Sequence, residues 1–303
     1  MNKSDQVKKI LFVSLSNIGD VILTTPTLVR LGQKYRNAKI DIIGDARSEI
    51  LYKYCPLVDK FYQKNKSEGF IGTLKLINKI RSNTYDLAVD LRSDGLLYFI
   101  KADKKLYKIK DKNIHSIEKH FLSLKEGLCG LPEPIIWLGK KEKDKAKRIL
   151  FKTKGPLLVI GLGANSSHKI WSAKYYAQLA YLLKKYFNSI VLIGDKKDDE
   201  LTLAFKKEYQ GDFTNLAGKL DLLTTAAVLK NADLFIGNDS GLGHIASAVK
   251  TKTFTIFGPG EPIRYRPWGI LSSYLQDKEK NINNIKPKVV FSEIIDRFGF
   301  KLY

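Results

Sequence analysis

Residues 234–248, with the sequence LFIGNDSGLGHIASA, have the pattern of a buried strand followed by a polar turn and a helix of small residues. The apolar run from Leu234 to Ile236 is typical of a strand, and Asp239 and Ser240 are preferred residue types at a helix start. The glycines beside them let the backbone come close to another group. Because the N–H groups at a helix start attract anions, this segment predicts a phosphate-binding site.

The strand-to-turn pattern returns at residues 253–260 (TFTIFGPG), and strands alternate with helical segments along the rest of the chain. Buried-type strands are predicted at 9–15, 39–44, 87–91, 157–161 and 189–194, with helices between them. This alternation is typical of a parallel, doubly wound α/β sheet. A charged helical connector at 140–154 ends at Gly155, where the pattern restarts. We therefore predict two domains, 1–154 and 155–303.

Ligands of doubly wound sheets bind at the carboxyl ends of the strands. Three segments with special turn chemistry follow predicted strands: residues 17–26, 238–244 and 258–260. The sequence therefore predicts that all three line one cleft between the two domains.

The composition limits the classes of protein to which the chain can belong. A length of 303 residues and a hydrophobic content of 44% fit a globular protein with two cores. No apolar run approaches the roughly 18 residues of a spanning helix, and the polar start at residues 1–9 does not resemble a signal peptide. Cys55 and Cys129 are predicted to be free thiols in a reducing cytoplasm. No cysteine or histidine spacing predicts a metal site.

The formal net charge of +21 is the most unusual feature of the composition. Lysines cluster at residues 101–112 and 140–148, each time with interspersed acids. A solvated surface in a lysine-biased proteome explains the charge as well as an anionic membrane surface or an anionic glycolipid does. No nucleic-acid-binding motif accompanies the lysines, so a nucleic-acid partner is not expected.

Three motifs together resemble one known family: GDVILTTP at residues 19–26, NDSGLGHIASAV at 238–249 and TFTIFGPGEP at 253–262. They are similar to the signatures of the ADP-heptose:lipopolysaccharide heptosyltransferases, glycosyltransferase family 9. The resemblance implies two Rossmann-like domains of the GT-B type that face a central cleft, the first binding an acceptor and the second a nucleotide-sugar donor.

The resemblance also implies an activity. The expected reaction is inverting, metal-independent transfer of heptose, or a related sugar, from ADP-heptose to a lipopolysaccharide core or other anionic glycan acceptor. No cofactor beyond the ADP-sugar donor is expected. Such an enzyme would be cytoplasmic and peripheral on the anionic inner face of the bacterial inner membrane.

Two residues carry the expected catalysis. On its position alone, Asp20 has the pattern of an ordinary acidic residue at a helix start. The family resemblance implies instead that Asp20 is the general base that takes the proton of the acceptor hydroxyl. Lys169, in a loop before Trp171, matches the family's lysine that neutralises the donor phosphate as it departs.

The resemblance places the donor-binding residues at Asp198, Asp239, Ser240, Gly241, His244, Gly258 and Pro259. Asp239 is expected near donor hydroxyls, and the N–H groups of Ser240 and Gly241 on phosphate. Asp198 is our choice for the ribose, although Asp195 replaces the second glycine of the family's turn. Ordinary capping explains Asp239 and Ser240 equally well without the family context.

Acceptor contacts are expected from Gly19, Arg92, Ser93 and His115. The first loop departs from the family, because Ser14-Leu15-Ser16 stands where a basic residue is common. Two alternatives to the transferase remain open. One is a nucleotide-sugar epimerase of the same architecture, and the other is a non-catalytic nucleotide-binding or basic interaction protein.

Overall fold

The computed structural model describes residues 6–65, 68–92 and 95–300. The chain divides into two compact units, the first ending at Trp137 and the second beginning at Leu138. Each unit is built on one parallel sheet of its own.

The first unit alternates strands with helices from Lys9 onward. Its strands are β1 (Lys9–Val13), β2 (Lys39–Gly44), β3 (Val58–Gln63), β4 (Tyr85–Asp90) and β5 (Ala102–Tyr107). Its helices are α1 (Ile18–Ile22), α2 (Thr25–Lys34), α3 (Ala46–Glu49), α4 (Gly69–Ile80) and α5 (Ser116–Leu122). The sheet order is β3-β2-β1-β4-β5. The central strand β1 is apolar and buried from Ile10 to Val13, as expected for a parallel strand covered on both faces.

The second unit repeats this architecture. Its strands are β6 (Leu157–Gly161), β7 (Ser189–Ile193), β8 (Thr214–Asn215), β9 (Leu234–Asn238), β10 (Thr253–Phe257) and β11 (Ser272–Gln276). Its helices are α6 (Lys140–Ile149), α7 (Ala173–Leu183), α8 (Asp199–Glu208), α9 (Leu222–Leu229), α10 (Gly241–Ala248), α11 (Pro262–Tyr265) and α12 (Pro287–Phe298). The parallel sheet has the order β11-β10-β9-β6-β7-β8. Trp171, Tyr176, Phe205 and Phe254 are among its largest core side chains.

The structure divides the chain after Trp137, earlier than the predicted boundary at residue 155. The connector forms α6, and this helix packs on α9 through Ala146, Ala227 and Val228. Lys145 of α6 also lies 3.2 Å from Asp221, the residue that caps α9. The connector therefore belongs to the second unit because its apolar side is buried there.

The segment around Pro26 forms two helices in succession. The chain forms the short helix α1, turns at Leu23 and Thr24, and starts α2 with Pro26 in its first turn. Proline fits that position because the missing N–H is one that a helix start leaves unpaired. In the part of the chain that the structure describes, no helix is both long and apolar enough to span a membrane.

Candidate functional site

The end of β9 is fixed by Asn238, a fully buried side chain in an otherwise apolar strand. Its amide donates a hydrogen bond to the carbonyl oxygen of Leu162 at 2.7 Å. Its Oδ1 accepts hydrogen bonds from the backbone N–H of Trp171 at 2.9 Å and from the Tyr176 hydroxyl at 3.0 Å. Asn238 therefore fixes the end of β9 to two other segments, the loop after β6 and the residues at the start of α7.

Lys169 and Asp239 form an ion pair at this edge of the sheet. Lys169 ends the turn Ser167–Lys169 and reaches Oδ2 of Asp239 with its Nζ at 2.5 Å. The Asp239 side chain is 11% exposed and that of Lys169 is 34% exposed. A charge-assisted contact of this kind orients the lysine. The structure thus brings together two residues that are separated by 70 positions in the sequence.

The start of α10 lies directly after Asp239. Ser240 is the N-cap residue with an extended backbone, and in the described chain its side chain forms no capping hydrogen bond. Gly241 is the first residue of the helix, and His244, its fourth residue, is buried. The first N–H groups of a helix have no partner within it and attract an anion. This end of α10 is therefore an electropositive element next to Lys169.

The turn after β10 forms one wall of the same region. The Gln276 amide donates to the carbonyl oxygens of Gly258 and Gly260, both at 2.8 Å. A Cβ on Gly260 would lie 2.6 Å from Oδ2 of Asp239, and a Cβ on Gly258 would lie 2.8 Å from the carbonyl oxygen of His168. The glycines are therefore required for close packing against the Lys169 loop and Asp239.

A groove of about 600 Å³ opens beside Lys169. It is lined by residues 166–170, by Pro259 and by residues 279–283. Two predicted site residues, Lys169 and Pro259, therefore share a concave surface, whereas the segment 279–283 was not predicted. The groove leaves the Lys169 side chain accessible from solvent.

Asp198 lies at the ends of β6 and β7 and is buried. Its Oδ2 accepts a hydrogen bond from the Asp195 N–H at 2.8 Å, which closes a capping box. A Cβ on either Gly163 or Gly194 would overlap its carboxylate, so two glycines make room for it. Burial raises the pKa of the Asp198 carboxyl. The structure gives Asp198 a clear capping role and places it at the carboxyl ends of β6 and β7.

In the first unit, Gly19 and Asp20 lie in the short helix α1, which follows β1 after a four-residue loop. The Asn17 amide donates to Oδ2 of Asp20 at 2.9 Å. Asp20 is partly exposed, so its carboxylate remains accessible. Its position in the first turn also fits the helix dipole.

A buried hydroxyl cluster anchors the segment that carries Asp20. Ser14, directly after β1, lies 2.8 Å from the Tyr52 hydroxyl and 3.3 Å from the Thr24 hydroxyl. Thr24 in turn donates to the carbonyl oxygen of Val21 at 2.7 Å. Burial raises the pKa of Tyr52 to about 12, so the phenol stays neutral. Sequence analysis did not find this cluster, because hydroxyls at these positions carry no motif.

Arg92 follows β4, the sheet neighbour of β1. Its Nη2 donates a hydrogen bond to the Ser16 hydroxyl at 2.7 Å. Its backbone N–H donates to Oδ1 of Asp90 at 2.8 Å. The structure therefore brings Arg92 next to the loop that leads to Asp20. Ser93 lies outside the described residues.

His115, a predicted acceptor contact, is buried at the start of α5. It is 2% exposed and forms the N-cap of α5, where its Nδ1 accepts from the Ile117 N–H at 3.2 Å. Its own N–H donates to Glu118 at 3.0 Å, which completes a capping box. The ring thus caps the start of the helix, and its contact with an acceptor stays a prediction. Within the described ranges, no group of three or more His, Cys, Asp or Glu side chains is arranged to hold a metal ion.

Several known proteins are similar to this chain. The model of glycosyltransferase family 9 (heptosyltransferase) matches residues 98–291. Lipopolysaccharide heptosyltransferase 3 of Escherichia coli K12 is 27% identical over 283 residues, which cover 82% of each chain.

Two solved structures share the fold. The glycosyl transferase family 9 structure from Veillonella parvula has a TM-score of 0.85 at 21% identity, covering 96% of this chain and 97% of that one. E. coli ADP-heptose lps heptosyltransferase II has a TM-score of 0.78 at 22% identity, covering 96% and 98%. The predicted fold class, with two Rossmann-like domains of the GT-B type, is confirmed. The chain belongs to glycosyltransferase family 9, the heptosyltransferase family.

Proposed function

We propose that this glycosyltransferase moves heptose, or a related sugar, from ADP-heptose to a lipopolysaccharide core acceptor with inversion at the anomeric carbon. The names of its relatives, lipopolysaccharide and lipooligosaccharide heptosyltransferases, support the donor and acceptor class. The observation that carries the proposal is the Lys169–Asp239 pair beside the start of α10. A cation and a set of helix N–H groups in one place suit the diphosphate of a nucleotide sugar.

The second unit would bind the donor. The start of α10 at Ser240 and Gly241 would hold one phosphate by its N–H groups, and Lys169 would reach the same diphosphate from the groove. As the bond between the anomeric carbon and the phosphate oxygen breaks, negative charge grows on the departing ADP. Lys169 would stabilise that charge electrostatically, in place of a metal ion. Chelation by EDTA should then leave turnover unchanged.

The remaining donor residues would position the nucleotide sugar. Asp239 would bind sugar hydroxyls once the donor phosphate has taken its place beside Lys169. His244 would support the phosphate from within α10, and Gly258 and Pro259 would form the wall of the groove. Asp198 would accept from ribose hydroxyls with Oδ1, because the Asp195 N–H occupies only its Oδ2.

The first unit would bind the acceptor. Asp20 would accept the proton of the acceptor hydroxyl while that oxygen attacks the anomeric carbon from the face opposite the leaving phosphate. Its accessible carboxylate, oriented by Asn17, supports this role. Arg92 and the backbone at Gly19 would contact the anionic acceptor, and Ser93 stays a prediction for the same surface.

We further propose that the enzyme works at the anionic inner face of the bacterial inner membrane, on its cytoplasmic side. The net charge of +21 and the lysines at 101–112 support attraction to such a surface. Each basic residue near an anionic bilayer contributes about 1 kcal/mol.

A panel of nucleotides tests the donor assignment. Thermal unfolding of the full chain is measured with ADP, UDP, GDP and CMP at equal concentration. A rise in Tm with ADP alone is the expected result. A rise with UDP instead would favour the nucleotide-sugar epimerase alternative or another donor sugar.

Lys169→Ala tests the phosphate role directly. Calorimetry should show a loss of ADP affinity worth about 1.5–3 kcal/mol, the range for a hydrogen bond to a charged group. Adenosine affinity should be unchanged, because adenosine has no phosphate. Lys174→Ala, in the nearby helix α7, is the matched control and should bind ADP normally. An equal loss for ADP and adenosine would contradict the assignment.

A further inference from the structure

One buried side chain holds both ends of the loop that carries Lys169. The loop runs from Leu162, directly after β6, to Trp171, just before α7, and we name residues 162–171 the lysine loop. The Asn238 amide donates to the carbonyl oxygen of Leu162 at 2.7 Å, and its Oδ1 accepts from the backbone N–H of Trp171 at 2.9 Å. Asn238 therefore closes the lysine loop at its first and its last residue.

The hydrogen bonds inside the lysine loop fix its shape. The Lys169 N–H donates to the carbonyl oxygen of Ser166, and the Ile170 N–H donates to that of Ser167, both at 3.0 Å. These bonds close a turn within the loop, but they do not determine where the turn lies relative to α10. The bonds to Asn238 supply that position, because Asn238 belongs to β9, the strand that leads to α10.

Asn238 is also the residue from which the chain enters the start of α10. It is followed by Asp239, which pairs with Lys169, and by Ser240, the N-cap of α10. The backbone of Asn238 thus presents the helix start, while its side chain anchors the loop that presents the lysine. The distance between the Lys169 ammonium and the first N–H groups of α10 therefore depends on Asn238.

The chemistry of the two loop ends explains why the residue is an asparagine. The carbonyl oxygen of Leu162 needs a donor and the N–H of Trp171 needs an acceptor, and an amide side chain offers both. Asn238 is fully buried at the end of an otherwise apolar strand, where an unpaired polar group is strongly unfavourable. A buried polar network whose members are all paired favours a single geometry.

Aromatic packing rigidifies the same end of the lysine loop. The fully buried ring of Trp171 lies edge-on to that of Tyr176, with 4.8 Å between the ring centroids. The Tyr176 hydroxyl donates to the same Oδ1 of Asn238 at 3.0 Å. On its other side, Nε1 of Trp171 donates to the carbonyl oxygen of Ile285 at 2.9 Å, just after the segment 279–283 that lines the groove. The end of the loop is thus held from both sides.

We infer that Asn238 is a positioning residue for the donor diphosphate, because it holds the Lys169 ammonium beside the first N–H groups of α10 so that one diphosphate contacts both. The inference rests on the proposed function, since it needs Lys169 to bind that diphosphate. Asn238 is buried, so it acts through Lys169 and the lysine loop. In preorganised sites a displacement of about 1 Å can cost about 100-fold in rate, so the anchor of a charged group matters as well as the group itself.

A double-mutant cycle tests this inference on the full chain, with ADP affinity measured by calorimetry. Asn238→Ser removes the amide, and ADP affinity should fall about tenfold while adenosine affinity stays unchanged. The same substitution in a Lys169→Ala chain should change ADP affinity less than about twofold, because the lysine that Asn238 positions is absent. An asparagine with a structural role alone would lower ADP affinity equally in both backgrounds, and that result would overturn the inference.

Tyr176→Phe is the matched control from the same buried network. It removes one partner of the Asn238 Oδ1 but leaves both ends of the lysine loop attached. Urea unfolding should show that Tyr176→Phe and Asn238→Ser are both less stable than the wild type, whereas only Asn238→Ser should bind ADP more weakly. An equal loss of ADP affinity in the control would overturn the inference, and so would wild-type ADP affinity in folded Asn238→Ser.

Asn238→Asp keeps the cycle decisive where Asn238→Ser does not fold. Aspartate retains the shape and the two acceptor contacts but loses the donor to the carbonyl oxygen of Leu162. Its charge repels ADP in both backgrounds and so cancels in the cycle, and the loss of ADP affinity should again be larger with Lys169 present than absent. Equal losses would overturn the inference.

Failure of the proposed function gives a different result from failure of the inference. Wild-type ADP affinity in the single variant Lys169→Ala would contradict the proposed phosphate contact, and the inference would fall with it. Weaker ADP binding by Lys169→Ala, together with equal effects of the Asn238 substitution in both backgrounds, would leave the phosphate contact standing and overturn the inference alone.

Discussion

At the scale of single residues, the most telling feature is that Lys169 already has an anionic partner in the structure. Asp239 holds its ammonium at 2.5 Å, and Gly260 leaves room for that carboxylate. A donor diphosphate would have to replace Asp239 as the partner of the lysine. Asp239 would thus orient Lys169 before binding and be released toward the donor sugar afterwards.

Asp239→Asn should separate these two roles. Without the negative charge, ADP competes with no carboxylate for Lys169, so its affinity should rise about threefold to tenfold, the effect of one partly exposed ion pair. Turnover of the full nucleotide sugar should fall, because the amide binds sugar hydroxyls less strongly. Calorimetry with ADP and steady-state transfer kinetics provide the two readouts. A fall in ADP affinity alongside the fall in turnover would contradict the idea that ADP and the Asp239 carboxylate compete for Lys169.

At the residue level, the sequence offers candidates where a family motif marks a position, and the roles of those candidates stay predictions. It offers none where distant partners define the position. Asp20, Lys169 and Asp239 lie in motifs, so their assignment needs no knowledge of the fold. Asn238 acts through Leu162, 76 positions away, and nothing local distinguishes it from an ordinary turn residue. His115 was selected for its residue type, but its neighbours make it a helix cap.

At the scale of elements, buried strands were predictable and edge strands were not. β2 and β6 have the predicted bounds. β6 is a continuous apolar run, and β2 is a run of isoleucines interrupted only by Asp41. β3 and β5 each contain adjacent charged residues and lie at the two edges of the first sheet. Lysines on edge strands prevent unwanted pairing, but they also remove the signal of a strand. The basic cluster at 101–112 is therefore partly an edge strand.

Helix α5 carries a histidine whose burial makes stability depend on pH. Burial lowers the pKa of His120 to about 3, and its Nδ1 lies 3.3 Å from the carbonyl oxygen of Leu23. An unfolded histidine has a pKa near 6.5, so between these values the unfolded chain binds one more proton. The free energy of unfolding should therefore fall by about 1.4 kcal/mol per pH unit as the pH drops below about 6.5.

His120→Gln should remove this dependence, because glutamine does not titrate. Urea unfolding of the wild type at pH 7 and pH 5 should differ by about 2 kcal/mol more than that of the variant. The variant's overall loss of stability at pH 7 does not enter this comparison. An identical pH dependence in both proteins would show that other groups cause it.

At the scale of the whole molecule, both units have the same plan, and the sequence made this visible through its repeated alternation of strands and helices. The boundary was harder to predict, since α6 is charged and resembles a linker although its apolar side packs on α9. The fold class and the family are confirmed. The proposed base Asp20 lies in the first unit and the proposed donor site in the second. The central claim is that Asp20 takes the proton of the acceptor hydroxyl.

Transfer kinetics of Asp20→Asn, measured together with its ADP affinity, test that central claim most directly. The substitution keeps size and the contact with Asn17 but removes the proton-accepting charge, so turnover should fall about 100-fold or more. ADP affinity should stay at the wild-type value, because the donor binds to the second unit. Asp59→Asn, an exposed acid on β3, is the control and should transfer sugar normally. Wild-type transfer by Asp20→Asn would contradict the account and reduce Asp20 to a residue that stabilises the start of α1.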